Sequence, residues 1–381
     1  FSAPIPPFAR SPTVGILVIN GNGAAVIEMH APQLPRIDVL PVGSYHAGPC
    51  RRHRTVAHVR LALFLAMEDD AALEQASPIA VVGAGALGTA LARRLVARGA
   101  PVRAILSRDA ADAAALAERV GAAVGTDAWT ALPADVRLVM VCVPDDAIAG
   151  VAEALAAVQH PWDRTVVGHT SGARSAEALA PLARKGAATF SFHPLQTFAE
   201  ETPPEAFAGI TIGVEGDDEA VAAGTALAQA LGAQPVVLTA RDKALYHCAA
   251  ALASNGLVAL MAVVQEVFAG ANIEEGADDA VERVAPLVEQ TWKNVEEAGP
   301  ERALTGPVVR GDTDTVEAHL DALSEEFPHL VPLYAALSTE MARISVRSGR
   351  LEGASAEALL RLLQNALQSS SDGVAPFGSS H

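Results

Sequence analysis

Ten residues, Ile79-Ala80-Val81-Val82-Gly83-Ala84-Gly85-Ala86-Leu87-Gly88, constrain this chain more than any other stretch. The first four read as a short apolar strand, and a helical stretch follows to Arg98, closed by Gly99. Each glycine between them has its own task. Gly83 permits the tight turn, Gly85 carries no side chain to hold a pyrophosphate away, and Gly88 lets the helix lie close on the strand. The first N–H groups of that helix, around Ala86 and Leu87, then face the phosphates together with the helix dipole. A glycine-rich helix start without a ligand shares these letters. The flanking strands, with a second one at Val102–Leu106, favour the dinucleotide reading.

The end of that second strand bears on which dinucleotide. An Asp or Glu there would accept hydrogen bonds from a ribose 2′-hydroxyl, whereas this chain has Ser107-Arg108. A hydroxyl and a guanidinium suit a 2′-phosphate, so NADP(H) is favoured over NAD(H). The competing reading makes Arg108 a solvated loop charge and gives the ribose to Asp109. The alternation continues with a helix over 109–120, a weak strand near 122–124 and a strong strand over 136–143. Val143 and Pro144, at the end of that strand, fall beside the nicotinamide half of a dinucleotide. Cys142 reads as a packed strand residue rather than a nucleophile.

Composition narrows the class further. The chain has 381 residues, half of them hydrophobic and 19% charged, which favours a large buried core over disorder. A net charge of −17 argues against nucleic acid or an anionic membrane surface as partner. The apolar stretches read as interrupted short of a bilayer span, so no membrane helix is expected. Cys50, Cys142 and Cys248 are too scattered for a disulfide framework or a metal site, so no metal and a reducing cytoplasm are expected. Residues 1–66 stand apart. They hold six Arg against two acids, with eight of the 24 prolines, and they begin on Phe1. Two readings fit this extension: a start set too far upstream, with translation from Met67, or a basic arm without fixed structure. Residues 14–30 could still form a hairpin around Asn20-Gly21-Asn22-Gly23.

Two more strands end in polar residues. Residues 165–168 run into His169-Thr170-Ser171-Gly172, and residues 187–192 run into His193-Pro194-Leu195-Gln196. Ligands of an open parallel sheet collect outside the carboxyl ends of its strands. His169, Ser171, Gly172, His193 and Gln196 are therefore candidates for substrate binding: a lone His is more often structural than functional, but two at equivalent strand ends bring the two readings level. After strands at 207–214 and 235–238 the pattern turns helical from Arg241. On that helix Lys243, His247 and Ser254 lie within about 40° of one another, and Asn255 joins them only if the helix bends. Apolar neighbours imply a buried helix, and a buried Lys is costly unless paired, with its pKa lowered toward proton transfer. The plain alternative is a Lys that neutralises Asp242.

From about Ser77 to Leu367 the chain resembles the Rossmann-like proteins that carry the domain of unknown function 2520. The residues that carry the likeness are His169-Thr170-Ser171-Gly172, His193 to Phe198, Asp242 to His247 with Ser254-Asn255, and Leu304-Thr305-Gly306-Pro307 with Arg310-Gly311-Asp312. More distantly it is similar to 6-phosphogluconate and 3-hydroxyacid dehydrogenases, ketopantoate reductase, prephenate dehydrogenase and pyrroline-5-carboxylate reductase. That superfamily often places a catalytic Lys on the first long helix after the sheet, with an Asn four positions later. Lys243 matches the Lys, and His247 stands where the Asn would be. The resemblance implies an α/β fold: a Rossmann doubly wound sheet followed by an all-α C-terminal domain. It also implies that the segment with Thr305 and Arg310 caps the substrate cleft, sometimes from a partner subunit, and that the chain is a homodimer.

The expected division is an extension over 1–66, a cofactor domain over 77–239, a helical domain over 240–369 and a tail over 370–381. Within the helical domain, helices are expected at 278–298, 313–326, 330–348 and 355–369, broken at Gly299-Pro300, Gly306-Pro307, Phe327-Pro328 and Gly349 to Gly353. Trp292 and Tyr334 read as packing residues. Arg310 is a candidate clamp for a substrate carboxylate, or else an ion pair with Asp312. The function expected is hydride transfer between NADP(H) and a small carbonyl or imine, carboxylate-bearing, with Lys243 and His247 in the proton transfer. The rival is a dinucleotide-binding sensor or scaffold without turnover.

Overall fold

The computed structural model describes residues 14–20, 23–29, 36–40, 78–271 and 280–371. Early in the chain, β1 (Val14–Asn20), β2 (Gly23–Met29) and β3 (Arg36–Leu40) form a small antiparallel sheet. Asn20 pairs with Gly23, the strand pairing expected of a hairpin over 14–30. Met67 and residues 372–381 lie outside the described residues.

Eight strands make the main sheet: β4 (Ile79–Val82), β5 (Val102–Leu106), β6 (Val124–Thr126), β7 (Leu138–Val141), β8 (Val166–His169), β9 (Ala188–Pro194), β10 (Thr211–Gly216) and β11 (Gln234–Val237). Their order is β11-β10-β9-β8-β7-β4-β5-β6. Neighbours run parallel throughout, except that β10 lies antiparallel to β9. The adjacent strands β4 and β7 are apolar at every position because both faces are covered. Ile79 and Val81 point into one core with α1 (Ala86–Ala97), α2 (Ala110–Val120) and α5 (Asp218–Ala230). Ala80 and Val82 point into the other with α3 (Ile148–Ala156) and α4 (Ala180–Arg184). This is the period-2 alternation of a strand with two buried faces.

The strand expected over 207–214 begins only at Thr211. Pro204–Phe207 form a tight helical turn instead, and Gly209 at φ +77° breaks the extended run. Phe207 plugs the core, wholly buried against Phe198. Because no long helix separates β9 from β10, the chain folds straight back and β10 starts at the end of the sheet where β9 finishes.

That reversal positions the rest. From β11 the chain enters α6 (Ala240–Ala253), which travels back toward the carboxyl ends of β8 and β9, and α7 (Asn255–Gly270) continues it. Thr239 caps α6 by accepting from the Asp242 N–H and donating to the Asp242 carboxylate. The helices break at Ser254. Only Lys243 is buried in α6 and no residue is buried in α7, which corrects the expectation of a buried helix. Ala240–Gly270 also form a 31-residue rod long and apolar enough to cross a membrane, with a mean hydropathy of 1.7 over its most apolar window. The expectation that apolar stretches stop short of a span therefore fails here, because His247, Ser254 and Asn255 barely interrupt it.

The remaining helices are α8 (Ala280–Ala298), α9 (Pro300–Ala303), α10 (Pro307–Arg310), α11 (Thr313–Glu326), α12 (Val331–Arg347) and α13 (Gly353–Ser371). Helices α8, α11 and α12 end at the predicted breaks Gly299-Pro300, Phe327-Pro328 and Gly349, while the short α9 and α10 were not expected. Val308, Val316, Leu320, Ala335, Leu359 and Leu363 form their own core. Tyr334 packs against that core and its hydroxyl is 2.8 Å from His319 Nδ1, whereas Trp292, expected to pack, is exposed.

Candidate active site

The site is a cleft of about 340 Å³ at the carboxyl ends of β4, β7, β8 and β9. Gly85, Ala86 and Leu87 form one wall. The three glycines behave as their spacing predicts. Gly83 sits at φ +107°, and a side chain there would overlap the Cys142 carbonyl. One at Gly88 would overlap the Gly83 carbonyl. Gly85 is different: a Cβ there meets nothing within 4 Å, so its missing side chain opens the cleft rather than the packing. Behind it α1 begins with no side-chain cap and no acid in its first turn, which leaves its leading N–H groups directed at the opening. These residues fit a bound pyrophosphate. Val143 lines the cleft and Pro144 stands exposed beside it. Ser107 is half-buried at the end of β5, and Arg108 is exposed with no ion-pair partner among the described residues. Asp109 caps α2, its carboxylate accepting from the Ala111 and Asp112 N–H groups at 2.8 and 3.1 Å.

His193, Pro194 and Gln196 from β9 and its following loop line the cleft, with His247 from α6. Two rulers bring the imidazoles together. Ser191 and His193 are two residues apart on a strand, about 6.6 Å. Lys243 and His247 are four apart on a helix, about 6 Å. Lys243 meets Ser191, so one turn later His247 meets His193, their rings 5.4 Å apart and edge to face. Both rings also flank Gly172: a Cβ there would overlap His247 Nδ1 and lie 2.7 Å from His193 Nε2. The Nδ1 atoms of both histidines are buried without a hydrogen-bond partner. Tyr246 braces His193, its hydroxyl donating to the His193 carbonyl at 3.3 Å. Burial, followed by the charges of Lys243 and His247, lowers the pKa of His193 to about 4.

Lys243 is 1% exposed and stands behind the cleft rather than in its lining. Its amine donates to the Ser171 carbonyl and to Ser191 Oγ, both at 2.8 Å. Burial lowers its pKa to about 8, against the pull of Glu215 and Asp145, so it is mainly charged at pH 7. Neutralising Asp242 is not its role, since Asp242 turns to Thr239.

His169 also differs from expectation. It is wholly buried, its Nε2 donating to the Ser175 carbonyl at 2.9 Å and its Nδ1 accepting from the Ser171 N–H at 3.2 Å. Both ring nitrogens are therefore committed to the loop after β8, and His169 shapes the cleft without facing it. Burial first lowers its pKa, to about 4. Ser171 Oγ accepts from the Ala173 and Arg174 N–H groups in the same loop. Glu215, on β10, accepts from the Ala176 N–H and fixes the far end of the loop.

Four further candidates stand outside the cleft lining. Ser254 and Asn255 sit at the α6–α7 break, and Asn255 is exposed. Thr305 precedes α10 and Arg310 ends it, in the C-terminal helical region, and Arg310 pairs with Asp312 at 3.9 Å. Sequence reasoning missed Asp145 and Thr170 in the lining and Ser191 behind it. A signal for Ser191 exists: two residues before His193, it shares that face of the strand. Cys142 lines the floor, its thiol pushed up to about 12 by burial, which suits packing rather than attack.

Fold and cleft together define a Rossmann-type α/β protein with an appended helical domain. Residues 66–194 match the Rossmann-like domain family and residues 210–341 match the domain of unknown function DUF2520, so the chain carries these two domains in series. A crystal structure from Bacteroides fragilis, provisionally described as an NADP oxidoreductase, is 25% identical with a TM-score of 0.56. It covers 70% of this chain and 97% of its own. A Thermotoga maritima protein is 26% identical with a TM-score of 0.54, over 77% of this chain and 99% of its own. Comparison with curated protein sequences finds no match.

Proposed function

We propose that the chain is a dinucleotide-dependent oxidoreductase acting on a small carbonyl or imine, with NADP(H) preferred to NAD(H). One observation carries this reading: the opening at Gly85 and the uncapped start of α1 share a single cleft with two imidazoles. A sensor needs the first and has no use for the second. The description of the Bacteroides fragilis neighbour supports the same class.

Gly85, Ala86 and Leu87 would hold the pyrophosphate, and Val143 with Pro144 would border the nicotinamide half. When bound, the nicotinamide supplies or accepts hydride. The chain binds and orients the substrate and moves its proton. His247 transfers that proton, with His193 and the Gln196 amide binding the reacting group beside it. Lys243 is a positioning residue: its amine ties α6 to Ser171 and Ser191 and so sets where His247 stands. The preference for NADP(H) rests on Arg108 and Ser107, since the Asp109 carboxylate is taken up by α2. Arg108→Ala should weaken NADPH binding about tenfold and leave NADH unchanged.

The exposed α6–α7 rod calls for cover. Leu245, Leu252 and Val258 are 72%, 69% and 69% exposed, and α7 lines an apolar hollow of about 490 Å³ with α11 and α12. A second copy of the chain covers this face in a homodimer. A lipid bilayer is the poorer occupant, because Lys243 locks the first turn of the rod into the sheet.

The test is NADPH oxidation with a panel of ketones, 2-oxo acids and cyclic imines, alongside NADPH titration. His247→Ala should lower kcat by about 100-fold or more with NADPH affinity retained. Failure to bind either dinucleotide would refute the whole reading, and unaltered turnover in His247→Ala would refute the assignment of the proton.

A further inference from the structure

We infer that the cleft takes a substrate whose polar group is an amine or imine nitrogen and rejects one that presents a carboxylate. This rests on the cleft being the substrate pocket. The argument is one of charge. No Lys or Arg lines the cleft among the described residues, and the single formally charged side chain in its lining is Asp145. Arg310, the residue expected to clamp a carboxylate, pairs with Asp312 beside α10.

Lys243 does not fill the gap. Its amine is spent on Ser171 and Ser191, and its one positive charge faces two carboxylates, Glu215 and Asp145. What the cleft offers instead is acceptors. His193 stays neutral at physiological pH, and each imidazole has a ring nitrogen without a partner. Of these, His247 Nδ1 packs against Gly172, where His193 presents its Nε2. A neutral imidazole offers a lone pair to an N–H donor, and Asp145 adds a negative charge at the mouth. An ammonium or iminium entering here finds acceptors for the hydrogen bonds it gives up in water. A carboxylate loses its hydration, finds no Lys or Arg in the lining and faces Asp145.

The experiment uses the full chain and a size-matched pair of probes, cyclopentylamine and cyclopentanecarboxylate. They are titrated calorimetrically into protein saturated with NADPH, whose reduced ring is uncharged, and into protein without cofactor. The amine should bind at least tenfold tighter than the acid, and Asp145→Asn should weaken the amine roughly fivefold while leaving the acid unchanged or improved. Equal or tighter binding of the acid, no binding of either, or an amine affinity indifferent to Asp145→Asn overturns the inference. So does acid binding that disappears in Arg310→Ala, since a partner subunit would then be supplying the cation. A separate NADPH titration keeps the two readings apart. Without NADPH binding the oxidoreductase reading fails, yet the cofactor-free arm still reports the charge preference of the cleft.

Discussion

Acid should loosen this protein through His169 before any surface carboxylate matters. Its ring donates from Nε2 to the Ser175 carbonyl and accepts at Nδ1 from the Ser171 N–H. A second proton on Nδ1 would set two N–H groups against each other at a site that is 0% exposed. The folded pKa is about 4 against an ordinary value of 6.5. Between those values the unfolded chain binds the proton and the folded chain does not, so stability rises with pH across that window. The contribution is complete above about pH 6.5 and is lost as pH falls toward 4. At 1.36 kcal/mol per unit, about 3 kcal/mol has gone at pH 4. Urea unfolding at pH 7, 6, 5 and 4, followed by circular dichroism, measures it against His169→Asn, which has no titrating ring. The variant should be the less stable at pH 7, and its deficit should shrink by about 3 kcal/mol at pH 4. A deficit that stays constant with pH would refute the neutral-ring argument.

The cleft yields further expectations. Gly85→Val should fold with stability within about 0.5 kcal/mol of the parent, since its Cβ meets nothing, yet lose at least tenfold in NADPH affinity by fluorescence titration. Gly172→Ala should do the reverse, costing about 1–3 kcal/mol in urea unfolding and abolishing turnover with NADPH binding retained, because its methyl group intrudes between His193 and His247. Lys243→Met strands the Ser171 carbonyl and the Ser191 hydroxyl, and should cost about 1–3 kcal/mol. If the Lys positions His247, its kcat should fall while the pH profile of the remaining activity keeps its shape. If a second copy covers the α6–α7 face as proposed, Leu252→Asp should shift the protein from dimer to monomer in analytical ultracentrifugation, because it places a charge on that apolar face.

Much of this was legible in the residues. The strand, glycine loop and first helix stand where the Gly spacing puts them, and the C-terminal helices end at the predicted Gly-Pro and Phe-Pro steps. The two histidines show where legibility stops. His169 and His193 both close a strand, and nothing in their local letters separates them. The loop after β8 curls back and consumes both nitrogens of the first, while the loop after β9 runs away over Phe207 and leaves Nδ1 of the second free. The α6–α7 rod shows another limit. Apolar composition states that a surface must be covered and does not say by which chain. Arg310 illustrates the same point for charge: a carboxylate clamp and an ion pair with Asp312 both fit the sequence, and the structure has the ion pair.

The backward course of β10 has a consequence for how the site tolerates change. Because α6 returns along the sheet instead of leaving it, its pitch is gauged against the spacing of β9 in the way a key's teeth are gauged against pins. Adding one residue between Lys243 and His247 would leave the amine seated on Ser191 and swing the imidazole by about 100° toward solvent. Lengthening the turn at Leu238-Thr239, by contrast, would carry both groups past their marks together. The interval between 243 and 247 is thus fixed by the spacing of two strand residues, although neither end of it lies in a loop.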